Sequence, residues 1–155
     1  MSLAVQRAEQ LARTHHARYD PSHDFHHVTR VRGLAIAIAR SVSAADPSAQ
    51  VDLLVVELAA LAHDLLDKKY LPIGRVPTPR EHLDEHLWTG LSQDDVSDDQ
   101  RRLVERVVDN VSYSKEVKRI ANGDQTEWHL SCLELHWCVG PSSPLALSPR
   151  EQANA

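Results

Sequence analysis

A chain of 155 residues is long enough for one domain with a real core and too short for two comfortable ones. Its 42% hydrophobic and 25% charged content is ordinary for a globular protein, and a net charge of -5 without a basic stripe argues against nucleic acid as a general partner. No apolar run is long enough to span a bilayer, no charged-then-apolar leader opens the chain, and Cys132 and Cys138 are too few for a disulfide scaffold, so a cytoplasmic protein is expected.

In chain order, Ala4 to Arg18 reads as a first helix with Val5, Ala8, Leu11 and Ala12 on one side. Tyr19-Asp20-Pro21-Ser22 breaks it, because proline disfavours helical geometry in the residue before it. Val28, Val31, Ala35, Ile38 and Val42 recur at steps of three and four, so a second helix is expected from about Asp24 to Val42, capped by Ser22 or Asp24. His27 falls in its first turn, at the edge of that stripe. Taken alone it is readable as a packed ring or as a ligand.

Ser43 to Gln50 is a loop, and Ser48 or Asp46 is expected to start the next helix. The stretch Leu53 to Lys69 dominates the chain. From Leu53 to Ala62 only Glu57 is polar, and a helix apolar nearly all round is a buried one. His63 and Asp64 stand at the end of the apolar run. A carboxylate there is costly unless paired, and a bound cation is one of the few good partners. A helix-end dipeptide with local hydrogen bonds is the plainer alternative.

Tyr70 to Pro79 is rich in Pro and Gly and long for a simple turn, so it is expected to line or cover a site. Thr78-Pro79-Arg80-Glu81 resembles a helix start. His82 and His86, four apart, could share a metal on one helix face, although no third ligand is close and the acidic neighbours suit a solvated surface. Ser97 is expected to cap a helix from about Asp98 to Ser112, with Leu103, Val107, Val108 and Val111 facing one way. Its polar end, Asp109 to Lys115, reads either as C-terminal capping or as groups turned into a cleft. No repeat or low-complexity segment appears. Beyond a short run at Trp128 to Leu135 the chain is expected to be irregular, with Pro141, Pro144 and Pro149 in the tail.

Three segments carry a resemblance: Ser22-His23-Asp24-Phe25-His26-His27-Val28-Thr29-Arg30-Val31, then His63-Asp64-Leu65-Leu66-Asp67-Lys68-Lys69-Tyr70, then Asn110-Val111-Ser112-Tyr113-Ser114-Lys115. In this order they resemble the HD superfamily of metal-dependent phosphohydrolases, and within it the small subfamily with a His-Asp-x-x-Asp-x-Lys and an Asn-x-Ser-Tyr-x-Lys motif. The resemblance implies an all-α bundle over residues 1–136 with a metal in its middle, and an irregular tail over 137–155.

The resemblance assigns His27, His63 and Asp64 as metal ligands, a donor set that suits a divalent ion such as Mn, Mg, Fe or Zn. It makes Asp67 the residue that orients or deprotonates water and Lys69 a point cation for phosphate, both catalytic. Asn110, Ser112, Tyr113 and Lys115 are implied near the substrate, and His23 and Arg30 behind the ligands, fixing their orientation. The implied substrate is a nucleotide or similar small phosphate ester, without nucleic acid or membrane, and pairing with a second copy is left open.

The chain departs from the family after Leu133-Glu134-Leu135-His136. There the family continues Val-Gln-Asp-Ala-Asp, whose second Asp is a fourth metal ligand, whereas this chain reads Trp137-Cys138-Val139-Gly140-Pro141-Ser142 and has no Asp after Asp124. A truncated or altered form with impaired catalysis is therefore the expected alternative, with Asp109 or Glu134 as the first substitutes for the missing ligand. A plain helical interaction domain is the third reading, which requires the His-Asp pair to be incidental.

Overall fold

The computed structural model describes residues 2–17, 24–66 and 77–111. Their regular structure is helical, as expected, with no strand among the described residues. Helix α1 spans Leu3–His16, α2 Phe25–Ala45 and α3 Leu53–Ala62, while the short α4, Pro79–Leu83, runs into a π-helical turn at Asp84–Trp88 and α5 spans Asp98–Asn110. No helix among them is long and apolar enough to cross a membrane. The expected tail, both cysteines and the expected boundary at residue 136 lie outside the described residues.

Helix α1 starts at Ser2, whose hydroxyl accepts from the Val5 amide at 3.3 Å. Ala4, Val5, Ala8, Ala12 and His16 are buried along one face, with Leu11 packed against the core from the side. In α2, Asp24 is the cap, its carboxylate accepting from the His27 amide at 2.9 Å. The helix runs on to Ala45, three residues past the expected end.

The inward face of α2 differs from the expected stripe. Val28 and Ala39 are buried, yet Ile38 is 37% exposed and Leu34 is 64% exposed. The line that faces the neighbouring helices is Val28, Arg32, Ala35 and Ala39, at steps of four, three and four. Apolar periodicity misses it because Arg32 is charged. Its guanidinium is inside because two carboxylates meet it: Glu57 on α3, with Nε to Oε1 at 2.9 Å, and Glu9 on α1 at 3.2 Å.

Helix α3 is the core element foreseen, with Val55, Val56, Leu58, Ala59, Ala60, Leu61 and Ala62 all buried. Its start is corrected: Asp52 caps it, accepting from the amides of Leu54 at 3.0 Å and Val55 at 3.1 Å. Asp46 instead closes the preceding loop on Ser48. The helix ends with the apolar run at Ala62, short of the stretch to Lys69, and His63 to Leu66 form a turn. Leu58, Leu61 and Leu65 are nevertheless fully buried, each stabilising the fold by roughly 1.5–3 kcal/mol.

Two contacts fix the direction of α3 against its neighbours. Arg32 meets Glu57 and His27 meets His63, so α2 and α3 run antiparallel. The Gln100 amide group donates to Asp52 Oδ2 at 2.7 Å, which places the starts of α5 and α3 side by side. Because α5 packs along α3, the two run in the same sense.

Thr78 and Glu81 form a reciprocal capping box at α4, as do Ser97 and Gln100 at α5. The π-helical turn after α4 delivers Leu87 and Trp88 into the core. On α5 the buried residues are Val104 and Val108, with Leu103 and Val107 flanking them, while Val111 lies past the helix end and is exposed. The expected stripe is thus rotated towards Val104.

Candidate metal centre

His27 projects from the first turn of α2, and His63 and Asp64 follow the last residue of α3. Antiparallel packing brings these two helix ends together. His27 Nε2 and His63 Nε2 are 3.1 Å apart, His27 Nε2 and Asp64 Oδ2 3.3 Å, and His63 Nε2 and Asp64 Oδ2 3.0 Å. The three side chains are partly buried, so the group is shielded by the bundle and still reachable from solvent.

The chemistry of the donors decides what fits between them. His63 Nδ1 lies 2.9 Å from the Ala60 carbonyl, which can only accept, so Nδ1 carries a proton and donates it. In the neutral ring Nε2 then presents a lone pair. It faces a carboxylate oxygen, another acceptor, at 3.0 Å. Two lone pairs hold that distance only with a proton or a cation between them. The fixed tautomer, with Nδ1–H on a backbone carbonyl, is the arrangement in which metal-bound histidines are oriented.

A geometric test agrees. The triangle of donor atoms has a circumradius of about 1.8 Å, so a point about 1 Å off its plane is 2.0–2.2 Å from all three, the bond length of zinc to nitrogen and oxygen donors. Two imidazoles and a carboxylate form a donor set that suits borderline divalent ions.

In the metal-free protein the proton is the competing occupant. Burial, the largest single influence on His63, pulls its pKa down. The hydrogen bond and charge of Asp64, with the Ala60 carbonyl, outweigh it and hold the ring above its ordinary 6.5.

The other expected site residues divide into two sets. Arg30, one turn beyond His27, is exposed and makes no hydrogen bond or ion pair among the described residues. Asn110 leaves α5 level with the end of α3, given the aligned starts of the two helices, and its amide donates to the Arg106 carbonyl at 2.8 Å. His23, Asp67, Lys69, Ser112, Tyr113 and Lys115 lie outside the described residues, as do most of the segment 70–79 and Glu134. Asp109 is not a member of the donor group, and among the described residues no fourth His, Cys, Asp or Glu joins it. The residue that sequence reasoning passed over is Ala60. Its contribution is a backbone carbonyl, and the only advance signal is its place one helical turn before His63.

Comparison of the chain with protein-family models, with curated proteins and with solved structures finds no match in any of the three.

Proposed function

We propose that the chain is an HD-type metal-dependent phosphohydrolase acting on a nucleotide or similar small phosphate ester. The observation that carries the reading is the convergence of His27, His63 and Asp64 donor atoms within hydrogen-bonding distance of one another, with the His63 tautomer set by the Ala60 carbonyl. His27, His63 and Asp64 would hold a divalent ion, which would supply polarisation of a phosphoryl oxygen and a lowered pKa for water.

The chain's own residues then have separate tasks. Ala60 keeps the His63 lone pair aimed at the site, and Asp64 brings the negative charge that favours a cation. Asp67 and Lys69 take, by the resemblance, the roles of water orientation and phosphate neutralisation. By the same resemblance, Asn110, Ser112, Tyr113 and Lys115 contact the substrate and His23 supports the ligands.

One observation favours a second reading, a catalytically impaired protein of the same fold. The group has three members and a single carboxylate among the described residues. Zinc works with three protein ligands and water in the fourth position, whereas Mg and Mn sites draw on more oxygen donors. Metal analysis of the purified chain, followed by phosphate release from a nucleotide panel with zinc, manganese or magnesium, separates the readings. The hydrolase reading requires turnover that His63→Ala abolishes. Metal uptake without turnover for any ion supports the impaired form, and no uptake removes both.

A further inference from the structure

We infer that Asp24 is a positioning residue of the metal centre, fixing the backbone of His27 so that its ring reaches His63 and Asp64. The inference rests on the reading of those three side chains as metal ligands. The fold holds the three in different ways. His63 and Asp64 directly follow the buried helix α3, and Leu61 and Leu65 on either side of them are buried. His63 is held a second time, through Nδ1, by the Ala60 carbonyl at 2.9 Å. His27 comes from a separate helix, as the third residue of α2. The first amides of a helix have no carbonyl of their own helix to meet, so this turn depends on its cap for its shape.

The cap acts on the ligand residue itself. Asp24 Oδ1 accepts from the backbone amide of His27 at 2.9 Å, and the Asp24 carbonyl accepts from the same amide at 3.1 Å. Asp24 is extended, with φ -78° and ψ 175°, so the helix begins immediately after it and no earlier turn shares the task. Phe25 and Val28 pack this turn sideways against the core, which sets its distance from α3 and leaves its winding to the cap. The margin is narrow. Metal–ligand distances hold to within about 0.2 Å, whereas one residue gained or lost at a helix end shifts the chain by about 1.5 Å along the axis. A first turn that unwinds therefore takes His27 out of reach and leaves the ion two ligands.

Calorimetric zinc titration of the full metal-free chain, beside Asp24→Ala, Asp24→Asn and Thr78→Ala, tests this. Asp24→Ala is expected to weaken zinc binding about tenfold, the lower end of what loss of a supporting residue does. Asp24→Asn is expected to bind as the wild type does, because asparagine caps as well as aspartate and carries no charge. Thr78→Ala removes a cap of the same kind from α4, and its zinc affinity is expected to stay unchanged. With cobalt bound, NMR should show shifted ring protons of both His27 and His63 in the wild type, and of His63 alone in Asp24→Ala. Unchanged affinity in Asp24→Ala, equal weakening in Thr78→Ala, or an Asp24→Asn chain as weak as Asp24→Ala would each overturn the inference and leave the metal centre standing. No zinc uptake by the wild type would instead remove the metal centre itself, and the inference with it.

Discussion

Two sets of polar side chains meet where α2 packs on α3, and they are built on opposite principles. Arg13, Glu9, Arg32 and Glu57 form a chain of alternating sign across α1, α2 and α3, in which every carboxylate meets a guanidinium. A turn or two away, His27, His63 and Asp64 turn lone pairs towards one point. The first set is complete within the protein and explains why a charged residue belongs on the inward face of α2. The second is complete only with a proton or a cation. Burial of a polar group is therefore a poor guide to function, whereas the sign of what it faces is a good one.

The sharpest way to break this contrast is to remove a member of each set. Asp64→Ala is expected to weaken zinc binding by about 100-fold or more, the upper end of what losing even a supporting residue does, and to abolish the stabilisation zinc confers. Calorimetry and melting with and without zinc measure both effects. Arg32→Met is expected to leave zinc affinity close to wild type but to cost about 1–3 kcal/mol of stability, because Glu57 loses its partner while partly buried. Urea denaturation measures the loss. The double variant Arg32→Met, Glu57→Leu should recover much of it, and a double variant no better than the single would contradict the pairing.

The two sets also respond oppositely to pH. In the metal-free protein the folded pKa of His63 is raised, so its stabilising contribution is present below 6.5 and is lost as pH rises through the raised value. The pKa of Glu9 is lowered below its ordinary 4.5, chiefly by its hydrogen bond to Arg13, so its contribution is present above 4.5 and is lost as pH falls through the lowered value. Urea midpoints taken across pH should therefore show His63→Ala flattening the alkaline limb and Glu9→Gln the acid limb. Zinc should reverse the alkaline loss, since the deprotonated ring is the ligand.

The smallest effect is expected remote from both sets. Thr78→Ala removes one half of a capping box and should cost about 1 kcal/mol without touching metal affinity. A thermal shift of a few degrees with an unchanged zinc isotherm is the result expected.

Much of this was legible in advance for physical reasons. The stretch Leu53–Ala62 is apolar on every side, and no packing other than burial suits it. Asp24, Thr78 and Ser97 are short polar side chains immediately before helical runs, and all three cap as expected. The inward face of α2 was not legible, because a charged Arg32 interrupts the apolar count and its partners Glu9 and Glu57 are distant in sequence. The start of α3 was missed because Asp46 and Asp52 are chemically equal caps, and the π turn after α4 leaves no mark in residue type. At the metal centre the two histidines and the aspartate were readable from their motif, while the backbone carbonyl that sets the His63 tautomer was not.

Zinc titration of the metal-free chain, followed calorimetrically beside the same chain carrying His63→Ala, tests the central claim most directly. One ion per chain is expected in the first protein and none in the second. Equal uptake by the two proteins, or no uptake by either, would show that His27, His63 and Asp64 do not hold the ion.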